Sequence, residues 1–354
     1  MKRLVVLSLN PSVDRFINCD IELNSLNVVK EYTDIPAGKG INVAKILRNL
    51  QNDVLLLGIL GNDNKDIFLK YFEKYNIHNQ IVLSDGETRI NLKIVSETQV
   101  KSAFFHDHTP VILQSQRGST TEINFKNRFD LTSLEQLLEV LPNLEEKYFI
   151  ITGGLPINFN DDVYFRIIKY LKIKGCFVAL DASELPLKLA IRAQPDIIKP
   201  NINELEGLLN KKLLNDQEVI EEARNLIIKH NLGTVIVSQG KKGALFIKKD
   251  KALKAELKIS NKDLNFSKDL EKKGFFYKFN EEVGNTRTLQ IVNATGAGDS
   301  MVAGFMSGIM ENKSFEECST LAAACSLSTL LQSGVGVNKN YLPEFCSKIK
   351  IKEI

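Results

Sequence analysis

The stretch Asn293-Ala-Thr-Gly-Ala-Gly-Asp-Ser-Met-Val-Ala-Gly-Phe305 decides how this chain is read. An apolar run closing at Ile291-Val292 reads as the end of a strand. Thr295-Gly296-Ala297-Gly298 reads as a tight loop, and Asp299 opens a helix. Glycines let a backbone approach a ligand closely and turn its N–H groups toward it. The free N–H groups and positive dipole end of the new helix favour an anion. A carboxylate set among anion-binding donors repels the anion, so Asp299 is read as a base that takes a proton from a group meeting a phosphate. The helix has two stripes. Val302, Phe305, Met306 and Ile309 are apolar at helical spacing, whereas Ser300, Ala303, Gly304, Ser307 and Gly308 are small and suited to close packing on another element.

Outward from this stretch, short apolar runs alternate with helical patterns. Leu4–Leu9 and Val54–Leu60 read as buried strands, as do Tyr148–Thr152, Cys176–Leu180, Ile197–Asn201 and Thr234–Ser238. Helical patterns lie between them, at Asp162–Ile173, Pro186–Arg192 and Glu218–His230. Such alternation predicts an α/β fold with a doubly wound, mostly parallel sheet flanked by helices. Alternating segments at Phe16–Ile21, Val28–Tyr32 and Arg89–Val95 do not fit that pattern. They are read as a small β-sheet lid, contributed by excursions at about 12–36 and 87–127 from one domain spanning 1–354. A charged stretch from Lys248 to Glu282 reads as a surface excursion or as partly disordered, with the charged excursion bounded at 250–288. Ser314-Phe-Glu-Glu317 is a capping box opening a long helix through Leu331, and a charged tail follows.

Composition narrows the class. A net charge of +3 over 354 residues does not argue for nucleic acid. No run reaches membrane-spanning length. Five cysteines without CxxC spacing read as reduced thiols of a cytoplasmic protein. The run Met1–Leu9 resembles a signal peptide, but it is short and is followed by Asn10-Pro11, so it is read as a strand. His106 and His108 have no further ligands near them in sequence and are read as a polar loop.

In an open α/β sheet the loops at the carboxyl ends of the strands share one edge. Loops 10–15, 37–42, 153–156, 199–204, 238–243 and 295–299 are therefore expected to line one crevice. Asp14 is placed either to accept hydrogen bonds from a polyol or to close an Asx turn. Gly38-Lys39-Gly40 opens an amphipathic helix without the spacing of a Walker A loop. Arg89 starts a strand, with a fork of donors suited to a phosphate or to a surface ion pair. Asn201 and Glu204, one helical turn apart, suit a hydrated cation. Ser238–Gly243 suits a phosphate or a nucleobase.

Taken together, these segments resemble the PfkB-type (ribokinase-like) sugar kinases over nearly the whole chain, and within them the fructose-1-phosphate kinase branch. The segments that carry the resemblance are Asn10–Asp14, Ala37–Lys45, Thr88–Asn91, Thr121–Asn124, Asp181–Ser183, Lys199–Glu206, Ser238–Ala244 and Thr295–Gly304. The resemblance implies ATP- and Mg2+-dependent phosphorylation of fructose 1-phosphate to fructose 1,6-bisphosphate. Tagatose 6-phosphate or fructose 6-phosphate is the rival acceptor, and a silent sugar-phosphate binding protein is the non-enzymatic alternative. It further implies that Asp299 is the base and that Gly296, Ala297 and Gly298 form the anion hole. Asp14, Gly38, Lys39 and Asn42 would hold the sugar, and Arg89 its existing phosphate. Lys199, Ser238, Gly240, Gly243 and Gly298 would contact the nucleotide, with Asn201 and Glu204 tied to magnesium. Lids in this family often pair, which makes a homodimer through the lid an expectation. Two departures stand out: Gly154 replaces a serine in Gly153-Gly-Leu-Pro156, and Asn293 replaces an aspartate.

Overall fold

Strand β1 (Leu4–Ser8) is buried along its whole length, as an apolar run must be in the middle of a sheet covered on both faces. It lies between β4 (Val54–Gly61) and β10 (Tyr148–Thr152) and runs parallel to both. The computed structural model describes residues 2–19, 24–29, 31–95, 103–106, 109–112, 120–257, 295–332 and 334–354. Beyond β4 the sheet continues in parallel to β5 (His78–Ser84). Beyond β10 it continues in parallel through β11 (Phe177–Asp181), β12 (Ile197–Ile198) and β13 (Thr234–Ser238). Three antiparallel strands then complete it: β14 (Ala244–Ile247), β15 (Ala252–Leu257) and β16 (Ile349–Glu353).

Successive side chains of a strand point to opposite faces, and the two faces build two cores. Leu4 and Val6 join one, Val5 and Leu7 the other. The first core is covered by α1 (Lys39–Asn49), α2 (Lys65–Lys74), α8 (Ala297–Met310), α9 (Phe315–Leu330) and α10 (Leu342–Ser347). The second is covered by α3 (Leu131–Val140), α4 (Val163–Ile173), α5 (Glu184–Ala190), α6 (Ile202–Leu209) and α7 (Asp216–His230). This is the doubly wound arrangement expected from the sequence.

A second, smaller sheet has the order β3-β2-β6-β9, built from β2 (Ser12–Asn18), β3 (Tyr32–Ala37), β6 (Ile90–Val95) and β9 (Thr120–Ile123). The expected strand at Val28–Tyr32 lies later, at Tyr32–Ala37. Its register is Ser12 opposite Ala37 and Ile17 opposite Tyr32, so the strand runs directly into the turn at Gly38 that starts α1. Pro36 is accommodated because β3 is an edge strand. Strands β7 (Ala103–His106) and β8 (Thr109–Ile112) pair with each other as a two-stranded ribbon.

Two charged segments turn out to be strands of the main sheet. Within the stretch read as a surface excursion, β15 buries Ala252, Leu253 and Ala255 while Lys254 pairs with Asp216 and Glu256. The charged tail likewise ends in β16, where Ile349 and Ile351 alternate with lysines. Lysines along an edge strand discourage pairing with another chain. Ile291–Asn293, His108 and residues 258–288 of the excursion lie outside the described residues.

Both stripes of α8 are buried, except that Ile309 at the end of the apolar one is half-buried. Phe305 stacks on Phe246 with ring centroids 5.8 Å apart and planes 12° from parallel. On the small-residue side, a Cβ on Gly304 would lie 2.9 Å from Ala322 Cα and Cys325 Sγ, and one on Gly308 2.8 Å from Cys318 Sγ. Helix α9, against which these glycines pack, starts with the expected capping box between Ser314 and Glu317.

Candidate active site

Helix α1 begins against β1. A Cβ on Gly40 would fall 2.4 Å from Ser8 Cβ, so only glycine permits this approach. Gly38, at φ +112°, makes the turn into the helix, a backbone region that glycine enters without a steric penalty. The first helical residue, Lys39, reaches across to Asp181 with Nζ 3.1 Å from Oδ1. One turn on, buried Asn42 donates from Nδ2 to Asp299 Oδ2 at 2.8 Å. A residue pair 257 positions apart thereby joins the glycine–lysine loop to the head of α8.

Asp181 ends β11 and is fully buried. The same Oδ1 that meets Lys39 lies 3.3 Å from Lys199 Nζ. Lys199 follows β12 and is fixed by its own N–H, which donates to the Leu180 carbonyl. Burial works against the charge on Asp181, but Lys199 and Lys39 outweigh it and hold the carboxyl below the usual carboxylate range. Lys39 is the converse case. Burial disfavours its charge, and Asp181, Asp299 and Glu204 together raise its proton affinity above that of an ordinary lysine. Asp299, also buried, is pushed up to about 6, first by burial and then by Asp181, against Lys39, the Asn42 hydrogen bond and Lys199.

The loop before Asp299 is shaped for close approach. Gly296 caps α8 at φ +81°, and its carbonyl accepts from the Ser300 N–H. A Cβ there would meet Val335 at 2.7 Å. A Cβ on Gly298 would lie 3.5 Å from Lys199 Nζ, so that ammonium group abuts the loop. Helix-start N–H groups and an adjoining ammonium give this locus the character of an anion site. Buried Asp299 stands at its edge, half protonated near pH 6.

The other sequence-predicted residues lie around this cluster. Asp14, on β2, accepts at Oδ1 from Ser12 Oγ and Asn91 Nδ2 at 3.1 and 3.0 Å. Among the described residues Arg89 makes no ion pair. Its guanidinium donates to three carbonyls, those of Phe125, Pro11 and Asn10, at 2.7, 3.1 and 3.3 Å, where the small sheet joins the main one. Burial lowers its proton affinity, and Asp14 partly offsets this. Gly154, the residue replacing a serine, lies beside Asn10. A Cβ at Gly154 would lie 3.4 Å from Asn10 Nδ2, which donates to the Leu155 carbonyl.

Asn201 and Glu204 form a capping box at the start of α6. Glu204 N–H donates to Asn201 Oδ1 at 2.9 Å, and Asn201 N–H donates to Glu204 Oε2 at 2.8 Å. Asn201 is thus spent on the helix, while Glu204 keeps Oε1 outside the cap. Ser238 forms a bridge with Asn201, and the turn after it carries Gly240 at φ +59° and Gly243 at φ +89°. A Cβ on Gly243 would lie 2.0 Å from the Ala255 carbonyl oxygen, which fixes glycine there.

No group of three or more His, Cys, Asp or Glu side chains able to cage a metal occurs among the described residues. Glu204 Oε1, which the cap leaves unused, fits a hydrated magnesium ion. Such an ion takes most of its ligands from phosphates and water.

The structure brings Lys39, Asn42, Lys199, Gly298 and Asp299 together. It leaves Asp14 and Arg89 at the junction with the small sheet, and Ser238, Gly240 and Gly243 at the turn after β13. Asp181 received no role from the sequence. The available signal was an acidic residue at the carboxyl end of a predicted strand, in Asp181-Ala-Ser183. Its two lysine partners, 142 and 18 positions away in the chain, were not legible.

Known proteins resemble this chain over its whole length. The chain is 29% identical to a 1-phosphofructokinase of Haemophilus influenzae, covering 100% of this chain and 99% of that one. It is also 29% identical to a tagatose-6-phosphate kinase of Staphylococcus epidermidis, covering 99% and 100%. In fold it is similar to phosphofructokinase-2 from Escherichia coli in complex with substrates and products. There the TM-score is 0.78 with 19% identity, over 98% of each chain. No helix among the described residues is long and apolar enough to cross a membrane. The description "pfkB family carbohydrate kinase" matches residues 5–260 and 270–340, and the chain is a member of that family, a sugar kinase that transfers phosphate to a hydroxyl.

Proposed function

We propose that this kinase transfers the γ-phosphoryl group of ATP to the 6-hydroxyl of fructose 1-phosphate. The observation that carries the reading is the position of Asp299: buried, hydrogen-bonded to Asn42, and flanked by Lys39 and Lys199 at the edge of the 296–298 loop. A base with a proton affinity near neutrality is suited to accept a hydroxyl proton. Phosphoryl transfer otherwise asks for positioning and charge neutralisation. In this reading the Gly296, Ala297 and Gly298 N–H groups stabilise the transferring phosphoryl, and Lys199 neutralises its charge from the nucleotide side. Lys39 and Asn42 hold the acceptor, with Asp14 and Gly38 beside them. Arg89 turns donors from backbone carbonyls to the acceptor's phosphate, and the turn Ser238, Gly240, Gly243 receives the nucleoside. Magnesium bound with the nucleotide supplies further charge neutralisation, with Glu204 the residue to hold it and Asn201 ordering Glu204.

A second acceptor, tagatose 6-phosphate, is supported by the relative of that name at the same identity. A substrate panel separates the two. With ATP and magnesium, kcat/KM for fructose 1-phosphate should exceed that for tagatose 6-phosphate and fructose 6-phosphate by at least about tenfold, roughly 1.4 kcal/mol of transition-state discrimination. A reversed order transfers the assignment to the other acceptor. Absence of turnover with all three favours a binding protein. The homodimer expected from the lid is supported by apolar residues exposed on and beside the small sheet: Leu26, Val28, Tyr32 and Phe125. Sedimentation velocity of the wild type and of Val28→Asp tests it, a dimer that dissociates being the expected result.

A further inference from the structure

Asp181 holds two ammonium groups with one oxygen. Lys39 Nζ and Lys199 Nζ lie 3.1 and 3.3 Å from the same Oδ1, and the carboxylate is 0% exposed. The two lysines come from different elements. Lys39 starts the helix that carries Asn42, whereas Lys199 abuts Gly298 in the loop before Asp299. We propose that Asp181 is a positioning residue for phosphoryl transfer, whose carboxylate clamps the acceptor-side Lys39 and the donor-side Lys199 into one fixed cationic pair facing Asp299. The inference rests on the function proposed above.

The physical case is as follows. Two ammonium groups drawn together repel each other, and a flexible lysine stem loses rotamer freedom when fixed. Without that counter-charge the two ammonium groups lose their fixed placement and are left with Asp299 as the carboxylate that attracts them both. One buried carboxylate removes both costs before any phosphate arrives, so no reorganisation is needed when charge develops in the transition state. A second consequence is electrostatic. The charged groups acting on Asp299 are Asp181, Lys39 and Lys199. Glu204 acts on Lys39, and the buried Tyr164 hydroxyl faces Asp181. Asp181 disfavours ionisation of Asp299 and the two lysines favour it. Removing the carboxylate charge while keeping its shape must therefore lower the proton affinity of Asp299 as it frees the lysines.

The test compares Asp181→Asn and Asp181→Glu with the wild type on the preferred sugar phosphate. Asp181→Asn should lower kcat by about 100-fold, and the acid limb of its pH–kcat/KM profile should move to lower pH. Asp181→Glu keeps the charge on a longer stem. It should lower kcat by at least about tenfold and leave the acid limb in place. Full activity and an unchanged profile in Asp181→Asn overturn the proposal. A purely structural role would lower Tm and activity in both variants without separating their acid limbs. If Asp181→Asn does not fold, Asp181→Glu decides alone: wild-type kcat in that variant overturns the clamp. A readout independent of turnover is the titration of the Asp299 carboxyl carbon in protein labelled with 13C-aspartate, assigned by its loss in Asp299→Asn. The titration should shift to lower pH in Asp181→Asn, and an unmoved midpoint overturns the electrostatic link. If the wild type phosphorylates none of the sugars, the functional reading fails, and this titration still decides the role of Asp181.

Discussion

Asn42 donates from Nδ2 to Asp299 Oδ2 at 2.8 Å inside the protein, so that helix α1 reports directly on the protonation of the head of α8. The bond favours the ionised carboxylate. Replacing Asn42 by leucine, similar in size but unable to donate, should raise the proton affinity of Asp299 further. The acid limb of the pH–kcat/KM profile should then move to higher pH, and the rate at pH 7 should fall roughly tenfold, the loss of about one charge-assisted hydrogen bond. Kinetics across pH 5–9 checks this, and a limb that stays in place argues that Asn42 does not contact the base during turnover.

The wild-type profile itself has a defined expectation. Asp299 must be ionised to accept a proton, and its affinity is pushed up to about 6. Activity should therefore be full above that value and fall as pH drops through it. An acid limb near 4, typical of an exposed carboxyl, would place the essential base elsewhere.

Asp299→Asn should separate function from stability. Turnover should fall by about 10²–10⁴-fold, the scale of a general base, with nucleotide binding retained in calorimetry. The folded carboxyl sits at about 6 against an ordinary 3.8. The native state thus binds this proton more tightly than the unfolded chain does, and the ionised group destabilises the fold at neutral pH. Stability from this group returns as pH falls from about 6 toward 4. Asparagine abolishes that penalty, so the variant should be more stable at pH 7.5 by about 1–3 kcal/mol. Chemical denaturation measures it.

Gly296→Ala should displace the loop ahead of the base. Its Cβ would meet Val335 at 2.7 Å, and φ is +81°. We expect kcat to fall more than the KM values rise. The double variant Gly296→Ala/Val335→Ala removes the clash and leaves only the backbone strain of about 1 kcal/mol. It should recover most of the lost rate, and no recovery would mean that conformation rather than contact is decisive.

Gly243→Ala is expected to act on folding. A methyl 2.0 Å from the Ala255 carbonyl at φ +89° cannot be absorbed without moving β15. A loss of about 2–4 kcal/mol is expected, the range for overpacking combined with an unfavourable backbone. Thermal denaturation checks it.

The central sheet was legible because its strands are short apolar runs with helical patterns between them. Leu4–Ser8 and Thr234–Ser238 needed no tertiary information to be found. The edge strands were not. β16 has five residues with alternating lysines, and a half-exposed strand of that length reads as a solvated tail until its partner is known. The head of α8 was legible as a glycine turn opening a helix because glycine spacing and a helix start are local features. The lysine clamp was not, since Asp181 meets Lys39 across 142 positions. Asn201 and Glu204 show the opposite limit, because their spacing suits a cation and a capping box equally and the structure displays the cap. Arg89 had a legible fork of donors, but its carbonyl partners come from two distant segments, Asn10-Pro11 and Phe125.

Gly304 and Gly308 leave less than a methyl's width between α8 and α9. The helix that carries Asp299 therefore has no slack along its inner face, and its tolerance of change should be nearly nil. Variation in what the enzyme accepts must come from somewhere else. The small sheet, with its exposed outer residues and its attachment to the main one through Arg89, is where directed changes of acceptor are best attempted, and libraries there can be built without touching the helix that carries Asp299.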